Sequence, residues 1–358
     1  MARPIQASFD LAALKSNFAM ARRLAGAAKV MAVVKANAYG HGLLRVARAL
    51  ADADGFALLE LDDAMRLHDA GYRQHILLLE GFFRPDELPV ILHHGFSVVI
   101  HNDEQIAMLG ELRGDTKLEV FVKLNTGMNR LGFPAARTGH VLEQLKTLPC
   151  VGEVVLATHF SDAEGVSGID WQMREFERHV ARPGYARSLA NSAALLRFPE
   201  ARGDWVRPGI MLYGASPLED RTAAQIGLRP AMSLTSEIIG IQNLKRGDTV
   251  GYGSLFTADR EMRIGVVACG YADGYPRHAY NGTPLLVNGV RVPMVGRVSM
   301  DMLCVDLRDV PRARIGSPVT LWGAGLPVEE VAAAAGTVSY ELLCALARRV
   351  PVEDCDGD

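Results

Sequence analysis

"AVVKANAYGHG", residues 32–42, runs from small and β-branched residues into a lysine and then a polar turn punctuated by glycine. Ala32, Val33 and Val34 suit a buried strand, and Lys35 stands where that strand runs out. Working outward, "KVMAVVKA" (29–36) is the first of eight short apolar runs. The others are "GFALLE" (55–60), "HILLLEG" (75–81), "FSVVIHN" (96–102), "LEVFVKLNT" (118–126), "EVVLATHF" (153–160), "YARSLANS" (185–192) and "WVRPGIMLYG" (205–214). Amphipathic stretches such as "HGLLRVARALADA" and "ARTGHVLEQLKTL" lie between them. Runs that are apolar throughout suit strands covered on both faces, as in a parallel sheet. Eight of them alternating with helices predict an α/β fold, a (β/α)8 barrel. An open doubly wound sheet is the rival on pattern alone.

In such a barrel the chemistry sits at the C-terminal ends of the strands. The runs end at Lys35, Glu60, Glu80, Asn102, Lys123, His159, Asn191 with Ser192, and Arg207 with Gly209. Polar groups at the ends of apolar strands converge on one rim. A lysine drawn partly out of water there becomes a nucleophile toward an aldehyde. Tyr39, four residues on, can reach an anion from the adjoining loop.

After residue 226 the texture changes. "MSLTSEIIGIQNLKRGDTVGYG", "REMRIGVVACGYADGYPR", "TPLLVNGVRVPMVGRVSMDMLCVDL" and "GSPVTLWG" are β-rich, with turn pairs such as Asn288-Gly289. A mostly antiparallel β domain is expected over 227–358, closed by the helical "LPVEEVAAAAGTVSYELLCALARRV". Residues 1–226 then form the barrel domain. "RPIQASF" reads as an extra strand that pairs with the β domain.

The 358 residues are 49% hydrophobic and 22% charged, with a net charge of −3, which gives no electrostatic case for nucleic acid or an anionic membrane. "MARPIQASFD" lacks the apolar core of a secretory signal, and no run is long enough to span a bilayer. Five scattered cysteines form no CxxC pair, which suits reduced thiols in a cytoplasm. The histidines, the His93-His94 pair included, show no ligand spacing tied to strand ends, so no metal site is expected.

"VVKANAYGHG" resembles the pyridoxal-phosphate lysine motif of the alanine racemases. "KLNTGMNRLG" (123–132), "THFSDAE" (158–164), "ANSAA" (190–194), "VRPGIMLYG" (206–214), "VGYG" (250–253), "GYADGYPR" (270–277) and "VGRVSMDM" (295–302) resemble the same family, in its order. The resemblance runs nearly end to end and implies a barrel followed by a β domain. It also implies interconversion of L- and D-alanine by two-base proton transfer at the α carbon of a pyridoxal-phosphate aldimine.

Roles follow from the same resemblance. Lys35 holds the cofactor as a Schiff base and serves one face as a base; Tyr39, Ser192, Gly209 and Ile210 bind its phosphate. Arg207 faces the pyridine nitrogen. Arginine does not accept a proton, so the ring stays neutral and racemisation is favoured over transamination. His159 orients Arg207. Lys123 matches a lysine that carbon dioxide carbamylates in many relatives, which then holds Arg130 against the cofactor. Tyr252 is the second base, reaching the barrel mouth of the other subunit of a homodimer. Tyr271, Met300 and Asp301 line the substrate site together with Arg130, and Asp162, Arg277 and Arg297 its entrance. Some relatives carry a tyrosine where Arg348 stands, so one phosphate or entrance contact is expected to differ. Acceptance of serine stays open, as does the choice between D-alanine for the cell wall and alanine breakdown. A barrel-type carrier of the cofactor and a decarboxylase are the alternatives. Tyr252 counts against the first and Arg207 against the second.

Overall fold

A computed structural model describes residues 3–114, 116–180 and 184–355. Eight parallel strands close a barrel: Lys29–Val33, Gly55–Leu58, His75–Leu78, Ser97–Ile100, Leu118–Asn125, Val151–Ala157, Ala186–Ser188 and Trp205–Val206. Closure is made by the last strand on the first, Trp205 beside Lys29 and Val206 beside Val30. Each predicted apolar run contributes one strand, but the strands are shorter. Gly55–Leu58 and Ser97–Ile100 are buried at every residue, which is why they read as unbroken apolar runs. The eighth strand is only two residues long and gives way to a 3-10 turn at Ile210–Tyr213.

The first strand stops at Val33, and the reason lies in the backbone. Ala36, Asn37, Ala38 and Tyr39 all take positive φ, from 51° to 54°, winding Lys35–Tyr39 into a left-handed turn. For non-glycine residues this costs about 1–2 kcal/mol each. The surroundings offset that cost. Asn37 Oδ1 accepts from the Leu43 amide at 3.0 Å, and the Tyr39 ring stacks on Tyr213 at 4.6 Å. Tyr213 Oη donates to the Val33 carbonyl at 2.8 Å, tying this stack to the strand end. His41 Nδ1 lies 2.8 Å from the Tyr39 carbonyl, which can only accept, so Nδ1 carries the proton. Burial pushes His41 down to about 4, and it stays neutral at pH 7.

Met232–Leu244 opens the β domain. With Met262–Val267, Pro284–Val287, Val290–Val295, Leu303–Asp306 and Pro318–Trp322 it closes a second ring of antiparallel strands. Asn288 and Gly289 both take positive φ, 51° and 77°, between the paired residues Val287 and Val290. That is the two-residue hairpin turn which Asn-Gly favours. Gln6–Asp10 pairs antiparallel with Met232–Leu244 and parallel with Val352–Cys355, so the first strand of the chain belongs to this sheet. The helical stretch near the C-terminus consists of two short helices, Val328–Ala334 and Ser339–Cys344. One large apolar core runs through barrel and β domain, from Val30 and Phe121 to Leu234 and Val305, and a small second cluster gathers Val250, Ala258, Met262, Ile264 and Val295. No helix among the described residues is long and apolar enough to cross a membrane.

Candidate active site

A cavity of about 630 Å³ opens at the C-terminal ends of the barrel strands. Lys35, Tyr39, Lys123, Arg130, His159, Ser192, Arg207, Gly209 and Ile210 all line it. Residues from the ends of strands one, five, six, seven and eight thus meet in one place. Glu80 and Asn191 line it as well; Glu60 and Asn102 do not. Asn102 instead caps the helix Asp103–Gly110, accepting from the Gln105 amide at 2.8 Å.

Arg207 is buried, and among the described residues it is held only by oxygens of neutral groups. Nη1 donates to the Ser188 carbonyl at 2.5 Å and to its hydroxyl at 2.6 Å; Nη2 donates to the carbonyls of Thr158 at 2.8 Å and Leu189 at 3.3 Å. Burial without a carboxylate brings its guanidinium down to about 10, so it remains a cation at neutral pH. His159 lies in its field. Burial and then Arg207, Arg130, Lys123 and Lys35 push the imidazole down to about 3. His159 is therefore neutral, and carbonyls rather than a His159 hydrogen bond hold Arg207. Lys123 is pushed down to about 8, first by burial and then by Arg207 and Arg130. The loop that carries Arg130 is pinned by Asn125, whose Oδ1 accepts from the amides of Gly127 and Asn129, both at 3.0 Å.

Elsewhere on the cavity wall Ser192 Oγ accepts from the Gly209 amide at 2.8 Å. A methyl group on Gly209 would meet Tyr39 Oη at 2.7 Å, so glycine lets the Tyr39 hydroxyl come this close to the backbone. Tyr340, from the helix Ser339–Cys344, lines the same cavity, 5.9 Å from the Tyr39 ring. Burial and then Glu164 push its phenol up to about 12. Sequence reading missed Tyr340 because a residue of the C-terminal segment carries no local sign that it meets a barrel loop. Arg348 is exposed and does not line the cavity, so the departure noted there leaves the barrel pocket untouched. Glu164 was also missed as a site residue, although it ends the "THFSDAE" segment; it lines the cavity, and burial raises its carboxyl.

The remaining predicted site residues lie elsewhere. Tyr252, Tyr271, Arg277, Arg297, Met300, Asp301 and Asp162 do not line the cavity. Tyr252 sits in a turn between the short strands Thr249–Val250 and Phe256–Thr257, flanked by Gly251 and Gly253 at φ of 72° and 75°. Tyr271 receives the Arg277 guanidinium over its ring at 5.5 Å, and Arg277 Nη1 donates to the Val298 carbonyl at 3.0 Å. Asp301 accepts from Arg349 at 2.6 Å. Asp162 accepts from the Ser167 amide at 2.8 Å. Among the described residues no group of three or more His, Cys, Asp or Glu is placed to hold a metal ion.

The alanine racemase N-terminal domain model matches residues 9–217, and the C-terminal domain model matches residues 231–353. The alanine racemase of Nitrosospira multiformis is 58% identical over 353 residues, covering 98% of this chain and 99% of that protein. That of Cupriavidus necator is 57% identical, covering 98% and 95%. Among solved structures, the biosynthetic alanine racemase of Pseudomonas aeruginosa superposes with a TM-score of 0.96 at 47% identity, covering 99% of each chain. The Bacillus anthracis alanine racemase with bound L-Ala-P superposes at 0.84 with 30% identity, covering 99% of this chain and 96% of that one. With both domain models matched in order and relatives this similar along their whole length, the chain belongs to the alanine racemase family.

Proposed function

We propose that this chain interconverts L- and D-alanine with pyridoxal phosphate as cofactor, by proton transfer to and from both faces of the α carbon. The cavity supports the cofactor on three counts. Lys35, Lys123, Arg130 and Arg207 outweigh Glu80 and Glu164, which favours an anionic ligand. The Tyr39 hydroxyl, the Ser192 hydroxyl and the Gly209 backbone come close together on the cavity wall, a set of polar groups that suits a phosphate. Lys35 lines the same cavity and would supply the amine for an aldehyde. When bound, pyridoxal phosphate supplies an electron sink that acidifies the α proton of an amino acid.

The chain's own groups do the rest. Lys35 holds the cofactor and moves a proton on one face. Arg207 stays protonated and cannot give the ring nitrogen a partner that shares a proton, which keeps the sink weak and favours return of the proton to the α carbon. Neutral His159 packs beside it without adding charge. Lys123, at about 8, has a usable fraction of free amine at neutral pH. Its nitrogen attacks the carbon of carbon dioxide, forms an N–C bond and releases a proton. The resulting carbamate is an anion that holds Arg130.

Tyr252 is the second base, delivered to this cavity from the partner of a homodimer, and the Met300 amide meets the substrate carboxylate. Tyr271 and Asp301 complete the substrate side, and Asp162, Arg277 and Arg297 the entrance. The two domains are 1–226 and 227–358, and the scattered thiols suit the cytoplasm. The strongest support is the meeting of nine barrel residues in one cavity. The test is direct. Protein incubated with pyridoxal phosphate turns yellow, borohydride fixes the cofactor to Lys35, and chiral chromatography finds racemised alanine. Colourless, unlabelled protein sinks the reading.

A further inference from the structure

Gln172 lies outside the cavity, on the helix Asp170–His179, and is fully buried. Its carboxamide uses its whole hydrogen-bonding capacity. Oε1 accepts from the Ser161 amide at 2.8 Å and from its hydroxyl at 3.1 Å; Nε2 donates to the His159 carbonyl and to Thr126 Oγ1, both at 3.1 Å. The amide orientation is forced. A carbonyl at His159 can only accept and an amide at Ser161 can only donate, so the two ends cannot exchange.

From Gln172 the network runs in one direction. Thr158 Oγ1 donates to the Leu124 carbonyl at 2.9 Å, which uses its only proton. The 2.8 Å contact between Thr126 Oγ1 and Thr158 Oγ1 must then have Thr126 as donor. The order is Gln172 amide to Thr126 hydroxyl, to Thr158 hydroxyl, to Leu124 carbonyl. Thr158 is also the residue whose carbonyl accepts from Arg207 at 2.8 Å. One side chain therefore fixes the ends of strands five and six, and with them the backbone of Thr158, His159 and Ser161 around the cavity.

We propose that Gln172 is a positioning residue for the cofactor end of the site, setting Arg207 and His159 through the Thr126–Thr158 relay. The inference rests on the proposed cofactor and reaction. Glutamate is the sharpest probe because it keeps the shape and takes away at least one of the two donors, turning an oxygen toward the His159 carbonyl or Thr126 Oγ1. Gln172→Glu is expected to weaken binding of pyridoxal phosphate by the apoprotein, followed by quenching of intrinsic fluorescence, by about tenfold, on the scale of losing hydrogen bonds in a buried network. Among turnovers, the share ending in transamination, read as pyruvate, is expected to rise about threefold over wild type as Arg207 loosens. Both readouts are taken below the apoprotein's melting temperature, and the turnover ratio does not depend on the folded fraction. Thr126→Val, which cuts the relay with little change in volume, moves both in the same direction by less. Thr126→Ser, which keeps the hydroxyl, restores them. If Gln172→Glu fails to fold, the Thr126 pair decides alone. Variants that are folded, bind the cofactor as wild type does and keep the wild-type ratio reduce Gln172 to a core filler. A wild-type protein that neither binds the cofactor nor racemises alanine overturns the parent reading instead.

Discussion

At the barrel mouth, Lys35, Lys123, Arg130, Arg207 and His159 crowd one cavity, whereas on the β domain Tyr252 and Met300 keep 68% and 53% of their surface exposed. The first group is shaped by its own chain. Burial and mutual repulsion bring Lys123 to about 8 and His159 to about 3. The second group has its backbone well set but little of its own chain over it. Leu255, three residues after Tyr252, is 52% exposed. The difference teaches that one chain buries its barrel-mouth residues and leaves Tyr252 and Met300, which we propose as the other half of the site, facing outward. A second copy, facing the first across a two-fold axis, can complete both halves at once.

The largest effect expected within the barrel half is from Arg207→Glu. A carboxylate can share a proton with a pyridine nitrogen and arginine cannot. Racemisation should fall by about a hundredfold, on the scale set by a misplaced proton partner, while pyruvate formation rises. An unchanged ratio of the two products would assign Arg207 another task.

The electrostatic contrast can be sharpened by titration of the apoprotein without carbon dioxide. Lys123 has a folded value of about 8 against an ordinary 10.5. Between those values the unfolded chain holds a proton that the folded chain has released, so stability rises with pH across the window. The melting temperature should climb by about 2 °C or more between pH 8 and 10, and Lys123→Ala should flatten the rise. With labelled bicarbonate added, a carbamate signal should appear and vanish in Lys123→Ala. The absence of both effects would leave Lys123 an ordinary cation.

A smaller effect is expected at the phosphate end. Gly209→Ala brings a methyl group against Tyr39 Oη, and cofactor affinity should fall several-fold, about 1 kcal/mol. Adding Tyr39→Phe removes the oxygen that the methyl meets. The double variant should then bind better than the two single losses predict when summed. Additive losses would mean that the methyl does not act through Tyr39 Oη.

The barrel was legible because its strands are buried on both faces, so Gly55–Leu58 and Ser97–Ile100 read as solid apolar runs. Strand ends were less so. The stop after Val33 is a left-handed turn of non-glycine residues, and nothing in "KANAY" announces it. The rim residues were legible as a group, since polar ends on apolar strands must face a common mouth. Glu60 and Asn102 show the limit: a polar strand end can equally serve the helix that follows, as Asn102 does. Tyr340 and Gln172 stayed hidden for another reason. Their places beside the cavity are set by tertiary packing, and neither sits in a spacing that reports it. Arg348, singled out by its difference from some relatives, is exposed and lies outside the cavity.

The shared site is tested most directly by mixing two inactive chains. Lys35→Ala lacks one base and Tyr252→Phe the other, so each homodimer should be dead. Unfolded together in equal amounts and refolded, they should give mixed dimers as about half of the population, each with one intact and one doubly defective site. Racemisation should return to roughly a quarter of wild type. If Tyr252 instead serves the cavity of its own chain, every site lacks one base. The mixture then stays inactive although mass measurement confirms the mixed dimers, and that result would contradict the division of the site between two chains.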